Sequence, residues 1–269
     1  MDRCCVWNVR GMNNPTKQQE IKRSLLLNKV GLCGLLETKI RSSNGNKVKN
    51  NLGDHWAICT NSTLHRGGRI WLLWEPTAYD INILDVQIQS IHFQVIDKIR
   101  RKNFWMTVVY GLNKAAERIP LWDSLRNYHS MIQGPWIVAG DFNSVMEVNE
   151  RIGRAPISHA EIKPMLQTIQ DCQLSDLSAK GAFFTWNNKH EHQSKVYSRL
   201  DRVFINDDWM DSFSDSYVHF LLEGMFDHCP GLIYLEAERK KKGSSFKYYN
   251  MWSLAPNYHE IIKIGWQQK

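Results

Sequence analysis

The stretch Pro135-Trp136-Ile137-Val138-Ala139-Gly140-Asp141-Phe142-Asn143 constrains the fold more than any other part of this chain. Its first half is a short apolar run with β-branched residues, bounded by Gly134-Pro135 and Gly140, which is the pattern of a strand buried on both faces. The run stops at a carboxylate. Gly140 lets the backbone leave the sheet, and Asp141 and Asn143, two residues apart, point into the same cleft if the segment stays extended. An Asp at the mouth of a buried strand loses solvation and needs a metal, a proton or a donor beside it. The plainer alternative is a strand-to-loop turn in which Asp and Asn only satisfy backbone donors. Other strands of the chain end in the same way, and that repetition favours a site.

Arg3 to Trp7 is a short apolar strand ending at Asn8. Asn14-Pro15 then opens a helix, with Asn as N-cap and Pro at the first helical position; Ile21, Leu25 and Leu26 give it an apolar face up to about Asn28. Val30 to Leu36 is a second buried strand that stops at Glu37, close enough behind the helix to form a β-α-β unit with the first. Arg41 to Gly53 is polar and reads as loop or short helix. From His55 the texture is that of an antiparallel meander with strands His55 to Thr60, Arg69 to Trp74, Asp80 to Asp85, Ile91 to Asp97 and Asn103 to Tyr110. The Thr63 to Gly68 loop is either an approach to a ligand or a hairpin tip.

Tyr110 and Asn113 again place polar groups at a strand end, and a helix from about Ala115 to Ile132 leads into the Pro135 strand. A basic stretch from Glu150 to Arg154 precedes a helix from about Ser158 to Cys172. Ala182 to Asn187 and Val196 to Ile205 read as strands, the latter with Arg199 and Asp201 on one face. Tyr217 to Leu222 and Leu232 to Leu235 flank Phe226-Asp227-His228-Cys229-Pro230.

Composition bounds the class of partner. The net charge of +7 favours a polyanion, with part of it concentrated in Arg239 to Lys242. No run reaches the roughly 18 apolar residues of a membrane span, and Met1-Asp2-Arg3 leads into a strand rather than a signal peptide. The six cysteines have no CxxC spacing and read as reduced core thiols of an intracellular protein.

Asn8, Glu37, Tyr110, Asp141, Asn143, Asp201 and Asp227-His228 therefore all fall at or near strand ends, which mixed sheets packed face to face bring to one rim. That is a phosphodiesterase-like set. A hard ion such as Mg²⁺ wants oxygen ligands, which Glu37 provides with Asn8 or Asp227 nearby. In-line attack on a phosphodiester further needs a water-activating carboxylate and donors to the phosphate oxygens. Taken singly, Glu37 is also compatible with a surface turn, Asp201 with an ion pair to Arg199 and Arg202, and Tyr110 with a solvated strand end.

Trp7-Asn8-Val9, Leu36-Glu37-Thr38-Lys39, Tyr110, Gly140-Asp141-Phe142-Asn143, Arg199-Leu200-Asp201 and Asp227-His228-Cys229-Pro230, in this order over about Met1 to Glu236, resemble the endonuclease/exonuclease/phosphatase superfamily, which includes apurinic/apyrimidinic endonucleases and deoxyribonuclease I. Trp7 to Pro15, Gly67-Gly68-Arg69-Ile70-Trp71 and Phe184-Thr185-Trp186 resemble the endonuclease domain of plant LINE-type non-LTR retrotransposons. Residues 237–269 form a basic linker followed by a segment, Phe246 to Trp252, that resembles the one joining this domain to a reverse transcriptase.

The resemblance implies a four-layer α-β-β-α sandwich of two mixed β-sheets with outer helices, deoxyribonuclease I-like. It implies Glu37 as principal metal ligand with Asn8 close by and Asp227 as a further metal-site carboxylate, Mg²⁺ as the ion and Mn²⁺ as a substitute. Asp141 would orient or deprotonate the attacking water and Asn143 hold it or the phosphate. Tyr110 and Asn113 would contact the scissile phosphate, while His228, oriented by Asp201, stabilises the pentacovalent oxygens. Trp186, Ser198 and Arg199 are further phosphate- or DNA-binding candidates.

Three positions depart from the apurinic endonuclease pattern: Arg10 stands for an acid, Leu112 for a Pro and Phe226 for a Ser. Arg10 removes a metal ligand, leaving the site to lean on Glu37. The activity implied is a Mg²⁺-dependent DNA endonuclease leaving a 3′-hydroxyl that primes reverse transcription, from a monomeric nuclear or cytoplasmic protein. A phosphatase or deadenylase of the same fold is the alternative enzyme, and an inactive remnant that only binds nucleic acid is the alternative without chemistry.

Overall fold

Cys4 and Val6 of the first strand face one core, Cys5 and Trp7 another, and this period-two alternation builds the layers of the fold. In the computed structural model the described residues are 3–64, 69–153 and 157–236, together with Glu260 and Lys263. In chain order the strands are β1 (Arg3–Asn8), β2 (Val30–Leu36), β3 (Ala57–Thr60), β4 (Ile70–Trp74), β5 (Tyr79–Val86), β6 (Ser90–Asp97), β7 (Lys102–Tyr110), β8 (Trp136–Asp141), β9 (Arg151–Ile152), β10 (Ser175–Asp176), β11 (Ala179–Gly181), β12 (Trp186–Asn187), β13 (Tyr197–Ser198), β14 (Asp201–Ile205), β15 (Tyr217–Phe220) and β16 (Gly231–Tyr234). The helices are α1 (Pro15–Leu27), α2 (Gly45–Leu52), α3 (Ile119–Met131), α4 (His159–Asp171) and α5 (Asp207–Ser212).

One sheet has seven strands in the order β11-β15-β16-β1-β2-β4-β3, and a second has six in the order β10-β14-β8-β7-β6-β5. Both are mixed: β1 runs parallel to β2, β11 to β15 and β7 to β8, while the other pairs in these two sheets are antiparallel. Their inner faces share one core, with Val6, Leu32, Leu36 and Leu72 from the first sheet and Phe93, Met106, Val108, Ile137 and Val203 from the second. Helices α1 and α2 cover the outer face of the first sheet through Ile21, Leu25, Val48 and Leu52. On the outer face of the second, α3 and α4 contribute Leu121, Leu125, Met165 and Ile169. This is the four-layer sandwich expected from the sequence. The sheets approach closely at Gly34, where a Cβ would come within 2.7 Å of a Val108 methyl.

Local signals read from the sequence account for much of the first half. Asn14 caps α1 by accepting from Thr16 N at 2.8 Å, and Pro15 follows, needing no donor there. The polar Arg41–Gly53 region contains α2, whose inward residues are Val48 and Leu52. The helix expected over 115–132 is divided, with a 3₁₀ turn at Ala115–Arg118 before α3. All six cysteines are free; Cys59 is half-buried and the others are buried.

The structure corrects three expectations. The five-strand meander is split between sheets: β3 and β4 pair in the first, β5, β6 and β7 in the second, and the chain crosses over at the Glu75 turn, whose carbonyl accepts from Ala78 N and Tyr79 N. Val196–Ile205 is not one strand but β13 and β14 in different sheets. Thr185 Oγ1 takes the N–H groups of Leu200 and Asp201, at 3.1 and 2.9 Å, and so breaks the ladder between them. The Ala182–Asn187 run keeps strand pairing only at Trp186–Asn187, while β11 lies just before it. The His65–Gly68 part of the glycine-rich loop, Arg154, the basic run Arg239–Lys242 and the Phe246–Trp252 segment lie outside the described residues. By compactness the chain divides into Met1–Ala237 and Glu238–Lys269. Among the described residues no helix is long and apolar enough to cross a membrane.

Candidate active site

Register places three of the chemistry-bearing side chains side by side. Asp141 at the end of β8 is paired with Tyr110 at the end of β7 and with Asp201 at the start of β14. Gly140 makes this ending possible: its φ is +155°, and a Cβ there would strike the Val109 carbonyl. From the other sheet come Asn8, the last residue of β1, Glu37, just after β2, and Asp227-His228, just before β16. Asn8 joins the sheets by donating from Nδ2 to Asp141 Oδ2 at 2.8 Å and to Glu37 Oε2 at 3.3 Å. Arg10, Glu37, Lys39 and Asn143 all have left-handed φ, 39°, 50°, 53° and 47°. Backbone of this kind in non-glycine residues concentrates at functional sites.

His228 is the electrostatic centre. Its ring is buried between two carboxylates, with Nδ1 2.8 Å from Asp201 Oδ2 and Nε2 3.8 Å from Asp141 Oδ2. Burial opposes the imidazolium, but Asp201 and then Asp141 outweigh it and raise its pKa to about 9. Asp141 is pushed up to about 7, chiefly by burial and further by the Asp201 charge, against the His228 charge and the hydrogen bonds from Asn143 N and Asn8. A buried carboxyl that titrates near neutrality suits proton transfer. The ligand atoms of Asp141, Asp201 and His228 lie within 4.8 Å of one another. An imidazolium has no free lone pair, so His228 could serve a metal only after giving up its proton, whereas the two carboxylates keep theirs.

Glu37 and Asp227 have different surroundings. Glu37 Oε1 faces Lys39 Nζ at 2.6 Å, and Asp227 Oδ2 faces Arg10 Nη1 at 2.5 Å. Burial works against ionised Asp227, but the His228 charge and then Arg10 hold its carboxyl below the usual range. Both carboxylates have drawn in a cation. Hard oxygen donors that attract cations fit a Mg²⁺-type ion, and Glu37 is the carboxylate that could hold one; the Asn8 amide beside it turns Nδ2 to Glu37, while its Oδ1 accepts from Arg10 N.

Asp141 Oδ1 accepts from Asn143 N at 2.9 Å, and Asn143 Nδ2 donates to Gly111 O at 2.7 Å, tying the loop after β7 to the loop after β8. Tyr110 Oη accepts from Arg69 Nη1 at 3.2 Å. Burial, then Glu37 and Asp141, raise the Tyr110 pKa, so the phenol keeps a proton to donate.

Glu37, Asp141, Asn143, Asp227 and His228 line a cleft of about 620 Å³ whose wall also includes Arg10, Asn113, Arg118, Arg151 and Trp186, whereas Asn8, Tyr110 and Asp201 are buried and are not among its lining residues. Ser198 and Arg199 are not among its lining residues. Ser198 Oγ is buried and accepts from Arg151 Nε at 2.9 Å, while Arg199 sits over the Phe183 ring and faces Glu150 and Asp176. Nor does Asp201 pair with Arg199 or Arg202; both arginines turn to Glu150 and Asp176, and Asp201 is left to His228. The departures at Leu112 and Phe226 are absorbed by packing: Leu112 N donates to Gln89 Oε1, and Phe226 packs edge-on against Trp7 with ring centroids 4.4 Å apart.

Arg69, Arg118 and Arg151 were not singled out from the sequence. Arg69 follows the paired glycines, and Arg151 belongs to the basic stretch already noted; these were the available signals.

The profile of the endonuclease/exonuclease/phosphatase family matches residues 5–222. Among solved structures, the endonuclease domain of TRAS1, a telomere-specific non-LTR retrotransposon, aligns with TM-score 0.66 and 13% identity over 89% of this chain and 100% of its own. The 3′ phosphatase NExo from Neisseria, bound to product DNA hairpin, aligns with TM-score 0.65 and 17% identity over 87% of this chain and 99% of its own. The AP endonuclease LMAP from Leishmania major aligns with TM-score 0.65 and 14% identity over 86% of each chain. At these identities the structural likeness speaks to the fold. No curated protein matches the chain.

Proposed function

The chain belongs to the endonuclease/exonuclease/phosphatase family, hydrolases of phosphodiesters or phosphate esters, and from that premise we propose that it is a Mg²⁺-dependent DNA endonuclease that nicks one strand and leaves a 3′-hydroxyl. The observation that carries this reading is the buried Asp141–His228–Asp201 array joined to Glu37 through Asn8. DNA as substrate is favoured by the arginines of the cleft wall and by the net charge of +7. The structurally similar retrotransposon endonuclease domain, AP endonuclease and DNA-bound phosphatase point the same way.

In this mechanism Asp141, with a pKa of about 7, takes a proton from the attacking water and is held in position by Asn8 and Asn143. The His228 imidazolium, fixed by Asp201, places positive charge and an Nε2 donor where the phosphorane oxygens gain charge. Tyr110, whose oxygen already accepts from Arg69, donates its own proton to a phosphate oxygen. Asn113 lines the cleft on the loop that Asn143 secures. A divalent ion held by Glu37, with Asn8 beside it, would neutralise phosphate charge and assist the leaving oxygen. Manganese has the same donor preference and should substitute.

The test is incubation of the protein with supercoiled plasmid, with and without Mg²⁺, beside a phosphate monoester and poly(A) RNA. We expect Mg²⁺-dependent relaxation and ends that a polymerase can extend. Turnover of the monoester or of poly(A) alone would replace this reading with a phosphatase or deadenylase, and salt-sensitive DNA retention without turnover would replace it with a binding remnant.

A further inference from the structure

We infer that Arg10 contacts a non-bridging oxygen of the DNA backbone in the cleft, and that Asp227 serves as its anchor rather than as a metal ligand. The inference rests on the nuclease reading above and adds a residue to it.

Backbone geometry fixes Arg10 at the rim. Val9 N and Gly11 N donate to Leu36 O and Glu37 O at 3.1 and 2.8 Å, stapling the loop after β1 to the loop after β2. Arg10 N donates to Asn8 Oδ1 at 3.0 Å, and Arg10 O accepts from Lys17 Nζ at 3.1 Å. The left-handed φ values of Arg10 (39°) and Gly11 (94°) turn the chain sharply between these bonds.

The side chain is 53% exposed and lines the cleft, whereas the Asp227 side chain that holds it is 8% exposed. Asp227 Oδ2 accepts from Trp186 Nε1 at 3.3 Å as well as from Arg10, and its backbone carbonyl accepts from Asn187 N at 3.0 Å. An ion claiming this carboxylate would have to displace both the charge-assisted bond from Arg10 and the indole donor of Trp186.

Among the described residues, the bond to Asp227 is the one hydrogen bond that the Arg10 guanidinium makes, and it uses one of five N–H donors. The other cleft arginines are committed elsewhere: Arg118 Nη1 donates to the carbonyls of Leu112 and Asn113, and Arg151 Nε to Ser198 Oγ. Arg10 is thus a pre-oriented cation on the cleft wall with N–H donors to spare, and a phosphate contact of this kind suits a guanidinium better than an ammonium.

The experiment compares the full chain with Arg10→Ala, Arg10→Lys, Asp227→Asn and the Arg10→Ala/Asp227→Asn double variant. One arm measures retention of a short DNA duplex in EDTA across salt concentrations; the other measures Mn²⁺ binding to the free protein by electron paramagnetic resonance. For Arg10→Ala we expect the slope of log affinity against log salt to flatten by roughly one unit. Arg10→Lys should retain that slope. Asp227→Asn should weaken retention, with the double variant no worse than Arg10→Ala, and should leave Mn²⁺ affinity at or above the wild-type value. An unchanged salt slope in Arg10→Ala overturns the phosphate contact. A loss of Mn²⁺ affinity of about tenfold or more in Asp227→Asn, the scale of a disturbed metal site, overturns the anchor role and makes Asp227 a ligand. A wild-type protein that neither cuts nor retains DNA overturns the nuclease reading and the Arg10 contact with it, while the Mn²⁺ arm still decides the role of Asp227.

Discussion

Replacing Asp201 with Asn removes the nearer of the two charges that hold His228 protonated while keeping the side chain's shape. The imidazolium is raised from 6.5 to about 9, which corresponds to roughly 3 kcal/mol of preference for the charged ring. Asp201 touches Nδ1 at 2.8 Å, whereas Asp141 stands 3.8 Å from Nε2. A charge-assisted hydrogen bond outweighs the more distant contact, so more than half of that preference, roughly 2 kcal/mol, should go with Asp201 and bring the titration to about 7.5 or lower.

The assay is NMR titration of isotope-labelled histidine, with His228→Gln to assign the signal, beside the pH dependence of plasmid nicking. The basic limb of the rate profile should move down with the imidazole. Stability provides the sign check. Because the folded value lies above 6.5, the charged ring stabilises the fold fully below pH 6.5, and that contribution is lost as pH rises through about 9. The Asp201→Asn deficit is therefore expected to be largest below pH 6.5 and to disappear above pH 9. An imidazole that still titrates near 9 in the variant, or a basic limb that does not move, would refute the placement of charge in this array.

Glu37→Gln is expected to lose most nicking at low Mg²⁺ and to recover part of it at high Mg²⁺, since a neutral oxygen still binds the ion, only more weakly; an unchanged Mg²⁺ dependence removes Glu37 from the metal site. His92 is stacked on Tyr128 and held neutral by burial, with its pKa lowered to about 4, so stability present above pH 6.5 is lost as pH falls through about 4. Urea unfolding should show roughly 3 kcal/mol of acid destabilisation from this group, absent in His92→Gln; equal acid sensitivity in the two proteins contradicts it. Gly140→Ala places a Cβ against the Val109 carbonyl, and a destabilisation of about 2 kcal/mol or more is expected in the same assay. A melting profile like that of the wild type would mean that the strand can end at Asp141 without this glycine.

The local devices of the fold were legible in the residues: the Asn14-Pro15 helix start, the β-α-β unit that makes β1 and β2 parallel, and the apolar run that stops at Asp141. Each depends on side-chain period, turn chemistry or capping within a few residues, which a sequence displays directly. Asn8, Glu37, Tyr110, Asp141, Asn143, Asp227 and His228 shared one visible property, a polar group where an apolar strand stops.

What the chain's own pattern did not contain was who stands beside whom. The break after Trp74 looks like any hairpin turn, yet it sends β5 into the other sheet. Thr185 reads as an ordinary strand residue until its hydroxyl takes two N–H groups from a segment distant in sequence and splits β13 from β14. Arg10 is an exposed cation in the sequence and becomes the partner of Asp227 only when β1 and β16 pair. Register sets Tyr110, Asp141 and Asp201 in a row, and the packing of two inner faces brings His228 and Asn8 over them. A period of two tells a residue which face it occupies, but the identity of its neighbours depends on long-range pairing, and burial between the sheets is what turns those neighbours into a raised imidazole and a raised carboxyl.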